Sequence, residues 1–171
     1  MRCVLVAALV VFAGMATACG KNPVSSTGTS TSGGSSAGSP PPSLPTAQAS
    51  DLAFCVSETN RYRAMKGRPA LAQSTNVEQF AAAASKNDGL ANVPHQYYQT
   101  HATGFSAENE VLRWPYNLQP TVQGIVAAAI QAFYSEGPGG GHYENIVGSY
   151  TQIGCGIYID TNGITIVEDF R

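Results

Sequence analysis

The sequence predicts an α+β domain of about 120 residues, spanning residues 49–171, preceded by a segment that cannot form a core. Three observations carry that prediction. Apolar residues recur at helical spacing in three separate stretches between residues 51 and 136. The last twenty or so residues alternate instead, in the manner of strands. The helical stretches precede the strands without regular strand–helix alternation, which argues against a parallel α/β sheet.

The first helix is expected over 51–66. Ser50-Asp51 offer N-caps, Leu52, Cys55, Val56, Thr59 and Tyr62 share a face, and Gly67 and Pro69 stop the run. The second begins near Asn76, carries Val77, Phe80, Ala81 and Ala84 on one side, and ends around Asp88-Gly89. Residues 90–117, with scattered aromatics, prolines and glycines, read as an irregular connection. Pro120 fits the first turn of a third helix striped by Val122, Ile125, Val126, Ala129, Ile130 and Phe133, and Gly137-Pro138-Gly139-Gly140-Gly141 ends it. Ile153, Cys155, Ile157 and Ile159 then alternate, Asn162-Gly163 signals a tight turn, and Ile164 to Phe170 is rich in β-branched residues, which predicts an antiparallel hairpin.

Residues 1–18 read as a signal peptide: Arg2, an apolar run from Val4 to Ala13, then Ala16-Thr17-Ala18. Small residues before Cys19 and Gly20 after it resemble a lipoprotein signal, which implies a diacylated Cys19 anchored in a membrane; ordinary cleavage leaving Cys19 unmodified is the alternative. Residues 19–48 are rich in Ser, Thr, Gly and Pro and read as a tether reaching about 30 Å. The protein is accordingly expected to be extracytoplasmic. Cys55 and Cys155 remain in the domain, and in an oxidising compartment a disulfide closing a loop of about 100 residues contributes roughly 4–5 kcal/mol. Two buried free thiols, or a Cys–His nucleophile, stay open as alternatives.

Charged residues make up 12% of the chain at net charge −2, with no basic stripe, so nucleic acid is excluded as a partner. The three histidines, His95, His101 and His142, lie in the same polar stretches as Glu108, Glu110, Glu136 and Glu144. Imidazole and carboxylate together bind a divalent metal or exchange protons if one cleft collects them. There is no His-Glu-x-x-His, no Cys-x-x-Cys and no Gly-x-Ser-x-Gly; His142-Tyr143-Glu144 lacks the downstream cysteine pair of zinc deaminases.

Gly141-His142-Tyr143-Glu144-Asn145-Ile146 followed by Tyr150-Thr151-Gln152-Ile153-Gly154-Cys155-Gly156 resembles the signature of bacterial CAP proteins, relatives of the cysteine-rich secretory, venom-allergen and plant pathogenesis-related proteins. Asn60-Arg61-Tyr62-Arg63 with Gly67, Pro69 and Leu71 resembles the family's first-helix motif, and Ala107-Glu108-Asn109 its Gly-Glu-Asn. The resemblance implies a three-layer α-β-α sandwich with a central antiparallel sheet. It also implies a cleft of two histidines and two glutamates that holds a divalent metal, zinc or calcium. By motif these are His142, Glu108 and Glu136, with Phe133 where the family usually has Trp; the second histidine is His101, by its spacing from Glu108, or His95. Glu110 and Glu144 read as solvated charge, and Asn60 and Arg61 as serving the fold. The family is linked to lipid or sterol binding, partner recognition and, for some members, proteolysis. The expectation is a non-enzymatic binding module engaging a lipid, sterol, cell-wall component or protein, motivated by the absence of an obvious activated nucleophile. The rivals are a metal-assisted peptidase or esterase with Glu108 or Glu136 as general base, and a purely structural envelope protein.

Overall fold

The computed structural model describes residues 44–171; the expected signal peptide, Cys19 and the expected tether as far as residue 43 lie outside the described residues. Among the described residues no helix is long and apolar enough to cross a membrane. The elements run α1 (Ala49–Met65), β1 (Ala72–Gln73), α2 (Thr75–Ala91), α3 (Gln96–His101), β2 (Ala107–Trp114), α4 (Val122–Ser135), α5 (Gly141–Val147), β3 (Gln152–Asp160) and β4 (Gly163–Phe170).

The four strands form one sheet in the order β1-β3-β4-β2. β3 pairs with β4 and β4 with β2 antiparallel, while β1 adds a two-residue parallel bridge to β3, so the antiparallel sheet is mixed at one edge. On one face α1, α4 and α5 bury the larger core, in which Cys55, Val126, Ile130, Phe133, Ile146, Ile153, Ile166 and Phe170 meet. On the other face α2 packs with Ala81 and Ala84 against Val167, beside Tyr97 of α3. The result is a three-layer α-β-α sandwich in which every residue of β4 is buried.

The two faces differ because β3 alternates Ile153-Gly154-Cys155-Gly156-Ile157. Its large side chains enter the α1/α4 core, and its glycines let α2 lie directly on the strand. A methyl group on Gly154 would fall 2.2 Å from the Glu78 amide nitrogen, and one on Gly156 would fall 2.0 Å from the Ala81 carbonyl oxygen. Cys55 and Cys155 form the disulfide that joins α1 to β3 across 100 residues of sequence, which closes the free-thiol and nucleophile alternatives.

Boundaries depart from the sequence expectation for local reasons. α1 opens at Gln48 rather than Ser50, because the Asp51 carboxylate reaches back to accept the Gln48 N–H at 2.8 Å. α2 runs through Gly89, which serves close packing on Tyr158 and Thr165, and stops at left-handed Asn92. α4 is capped by the Thr121 hydroxyl, which accepts from the Gly124 N–H, leaving Pro120 just outside the helix. The two-residue hairpin loop is Thr161-Asn162, with Asp160 and Gly163 closing the ladder, one position earlier than expected. Residues 90–117 are a correction: they hold α3 and β2 rather than an irregular connection. β2 begins Ala-Glu-Asn-Glu, polar on both faces, so its strand character comes from pairing with β4 and not from any apolar alternation. The glycine run likewise ends α4 but then opens α5, a helix not foreseen. The end of the tether, Leu44 to Ala47, lines a cavity with Ile157, Tyr158 and Ile159 rather than standing clear of the domain.

Replacing Gly156 by Ala should destabilise the domain by about 3 kcal/mol, at the upper end of ordinary overpacking, because backbone and not a flexible side chain must move. Denaturant unfolding of the variant measures it; a loss below about 1 kcal/mol would show that α2 can lift off β3 freely.

Candidate functional site

β2 delivers two acids to the α2 side of the sheet, because residues two apart on a strand share a face. Glu108 and Glu110 have side chains 1% and 0% exposed. His95 approaches them from the turn between α2 and α3, held in the left-handed region at φ 58° as the N-cap of α3. Its backbone N–H donates to Glu110 Oε2 at 2.6 Å, and its ring Nδ1 bonds Glu108 Oε1 at 2.8 Å. Glu110 is therefore not the solvated charge expected of it: it pins the strained residue that presents the imidazole.

Two more buried acids border this pair. Asp169 of β4 stands directly opposite Glu108 in the strand register, on the same face. Asp88 of α2 accepts the Tyr97 N–H at 2.9 Å. His95, Glu108 and Glu110 each offer one ligand atom within 4.8 Å of the others.

The second half of the site is built by the glycine-rich turn between α4 and α5. Glu136 caps α4, and its carboxylate grips His142 twice, accepting the backbone N–H at 3.0 Å and bonding ring Nδ1 at 2.6 Å. Phe133 packs against the His142 ring with centroids 4.7 Å apart. Glu144 remains at the surface as expected, accepting the Gly139 N–H at 2.9 Å to close the turn.

The halves meet with the His95 and His142 ring centroids 6.3 Å apart and their planes inclined by 30°. In each ring Nδ1 is tied to a carboxylate, and Nε2 makes no hydrogen bond among the described residues. Imidazoles so oriented are suited to a divalent metal, since a carboxylate on the far nitrogen fixes the tautomer and raises ligand basicity. His101 does not join this group: it is exposed at the end of α3, its ring stacked on Tyr97 at 4.2 Å and its Nδ1 bonded to Thr100. Of the two candidate histidines it is His95 that stands beside the strand, because the turn before α3 brings it there and α3 carries His101 away.

Asn60 clamps Leu71 through both backbone groups, and Arg61 pairs with Glu58 at the surface, both in the service of the fold. Asp88 and Asp169 carry no sequence signal that would join them to a site, and Glu110 reads from sequence as solvated charge. The spacing Glu108-x-Glu110 was the one usable signal, because a strand through these residues necessarily puts both acids on one face.

The model of the family described as "CAP: Cysteine-rich secretory protein family" matches residues 56–170. No curated protein matches the chain. Among solved structures, an outer surface protein from Borrelia burgdorferi is similar, with a TM-score of 0.50 at 18% identity, covering 71% of this chain and 92% of that one. An extracellular protein containing an SCP domain from Bacillus anthracis gives a TM-score of 0.49 at 18% identity, and a cysteine-rich secretory protein from Staphylococcus aureus gives 0.46 at 12%. The match covers 71% of this chain in both cases and 40% and 38% of those two proteins.

Burial governs the ionisation of the acids. It pushes Glu110 up to about 7 and Asp169 up to about 9, the latter helped by the neighbouring charges of Glu108, Asp88 and Glu110. Burial also raises Glu108, outweighing its bond to His95, while at His95 that same bond prevails over burial and raises the imidazole. At Glu136 burial acts upward, but the combined hydrogen bonds from His142 hold the carboxylate below its ordinary value. On the opposite face of the sheet, burial pushes Glu168 up to about 7 against the bonds from Thr59 and Asn109.

For acids raised on folding, the native state binds protons that the unfolded chain releases, so stability falls as pH rises from the ordinary value to the raised one. That window is 4.5 to about 7 for Glu110 and Glu168 and 3.8 to about 9 for Asp169. Raised His95 acts in the same sense, its contribution being lost as pH climbs past its folded value. The metal-free protein should therefore unfold at a lower temperature at pH 8 than at pH 5. Calorimetric scans across that range check this, and a midpoint that rises with pH contradicts it.

Proposed function

Since the chain belongs to the cysteine-rich secretory protein (CAP) family, we propose that it is an extracytoplasmic binding module. In this reading His95 and His142 share a divalent metal across the cleft, and the surrounding surface engages an envelope lipid, sterol, cell-wall component or protein. The observation that carries this is the pair of facing imidazoles, each fixed through Nδ1 by a carboxylate and each with Nε2 unengaged among the described residues. Nitrogen donors favour zinc over calcium, whose ligands are oxygens. Zinc held there would supply Lewis acidity toward a carbonyl or phosphoryl oxygen of a bound ligand. Glu108 and Glu136 orient the rings, and Phe133 backs His142.

The signal peptide, the lipid on Cys19 and the tether belong to the same proposal: the domain is displayed from a membrane surface. The signal-like residues 1–18 support it, as does the buried Cys55–Cys155 disulfide, which suits an oxidising compartment.

One observation favours the rival hydrolase reading. Glu110, buried beside His95 and pushed up to about 7, is suited to general acid–base work at neutral pH. Peptide or ester turnover by the protein that falls in Glu110→Gln, with folding retained, would select it.

Calorimetric titration of the metal-free protein with zinc tests the binding reading. One zinc per chain is expected, lost in His142→Ala and weakened about 10–100-fold in Glu136→Gln, which keeps the ring but loosens its support. Undiminished zinc uptake by His142→Ala would sink it.

A further inference from the structure

Five large apolar side chains stand exposed among the described residues: Met65, Leu90, Val93, Tyr116 and Leu118. Three of them gather at one end of the sheet, where the β3–β4 hairpin turns. Leu90 belongs to the last turn of α2, next to Gly89, which lies against Tyr158 of β3 and Thr165 of β4. Tyr116 and Leu118 follow Trp114, the last residue of β2, whose partner in the ladder is Ile164 near the start of β4. Arg113 joins the two segments, donating to the carbonyls of Gly89 at 2.8 Å and Leu90 at 3.2 Å. Trp114 is half-buried and packs against the larger core. Met65 stands apart, since α1 ends just ahead of β1, which pairs with the opposite end of β3.

The chain enters the domain at this same end. Leu44 to Ala47 lie beside Ile157, Tyr158 and Ile159, which lead into the hairpin. Residues 1–43 therefore join the domain next to its exposed apolar rim. An anchor at Cys19, with the expected tether reaching about 30 Å, would present that rim to the anchoring surface at an effective concentration in the millimolar range. A contact too weak to hold a free protein on a membrane then suffices.

From this convergence we propose that the hairpin end of the domain, through Leu90, Tyr116 and Leu118, docks on the surface of the lipid bilayer that anchors the chain. It rests on the membrane display proposed above. Leucine side chains enter the boundary between headgroups and acyl chains, and the amphipathic rings of Tyr116 and Trp114 suit the headgroup level. Lys86, one turn back from Leu90 on α2, offers a cation to anionic headgroups, while Asp160 of the hairpin is turned onto Asn162. Glu108 precedes Trp114 by six residues on β2, so docking leaves the acids and imidazoles of the cleft about 20 Å up the sheet from the bilayer.

Trp114 is the sole tryptophan of the chain and reports the docking directly. The form from Cys19 to Arg171 keeps every described residue, and with Cys55 and Cys155 joined its one free thiol is Cys19. Coupled through that thiol to a maleimide lipid in vesicles of phosphatidylethanolamine and phosphatidylglycerol, it is anchored whether or not cells acylate it. Trp114 emission should shift to the blue, and most of it should be lost when the acyl chains carry bromine. Both effects should disappear in Leu90→Ser/Tyr116→Ser/Leu118→Ser, whose changes lie at exposed sites and should leave the unfolding temperature close to the parent's. Unchanged emission of the parent on brominated vesicles overturns docking. Quenching of the triple variant as strong as the parent's overturns it too, because tethering alone then accounts for the signal. A Cys19 without acyl chains in the exported full chain, read by mass, overturns the proposal through its premise, and quenching of the coupled form distinguishes that failure from a failure of the rim.

Discussion

Asn109 is the joint on which the geometry of the site depends. It is fully buried, and its side chain donates to the His142 carbonyl at 3.3 Å and to Glu168 Oε2 at 3.1 Å, while its oxygen accepts from Asn145 at 2.9 Å. Asn145 completes the link by donating to the Glu108 carbonyl at 3.1 Å. A buried amide left unpaired costs free energy comparable to a lost hydrogen bond, so α5 can take only the position that satisfies both asparagines. Because Glu108 and Glu110 flank Asn109 and face the opposite side of the strand, the same residue that locks α5 also fixes where the two acids stand. His142 and His95 thus face one another as a consequence of one side chain's need for partners.

The network continues into the larger core and ties the site to the fold's stability. Glu168 accepts from Asn109 and from the Thr59 hydroxyl of α1, beside the Cys55–Cys155 disulfide. Four residues further along α1, Arg63 is entirely buried and donates to the carbonyls of Pro69, Ile146 and Gly148, with no carboxylate partner among the described residues. It therefore holds the end of α5 to α1 from below while Asn109 holds it from the strand. The motif residues Asn60, Arg63, Asn109 and Asn145 are structural ligands of backbone and of one another, and the histidines and acids beside them are left free for other work.

Much of this was legible in the sequence where one physical signal dominated. The stripes of α1, α2 and α4 and the alternation of β3 are set by burial on one face, and Gly154 and Gly156 sit where a helix approaches a strand too closely for any side chain. β2 was illegible because its polar residues are satisfied by tertiary partners, which no local pattern records. Sequence alone leaves His95 and His101 both open for a related reason: spacing along the chain counts residues, whereas the turn at Asn92 and the left-handed backbone at His95 decide which ring reaches the strand. Glu110 was read as solvated because a charge is ordinarily exposed, and only pairing of β2 with β4 shows that it is enclosed.

Glu168 and Asp169 are sequence neighbours in the same strand, both buried, and facing opposite sides of the sheet, so they compare two uses of a buried acid within one environment. On the α1 side the fold supplies Glu168 with a hydroxyl and an amide, the arrangement expected when a polar group serves specificity of packing. On the α2 side neither oxygen of Asp169 finds a hydrogen-bond partner among the described residues, and the charges of Glu108, Asp88 and Glu110 add to burial in favouring its neutral form. A protein whose only requirement was stability would gain by replacing Asp169 with an apolar residue, as Val167 already occupies the same face two positions earlier. The asymmetry between the two neighbours therefore assigns Glu168 to the architecture and leaves Asp169 a buried acid that the described residues do not satisfy.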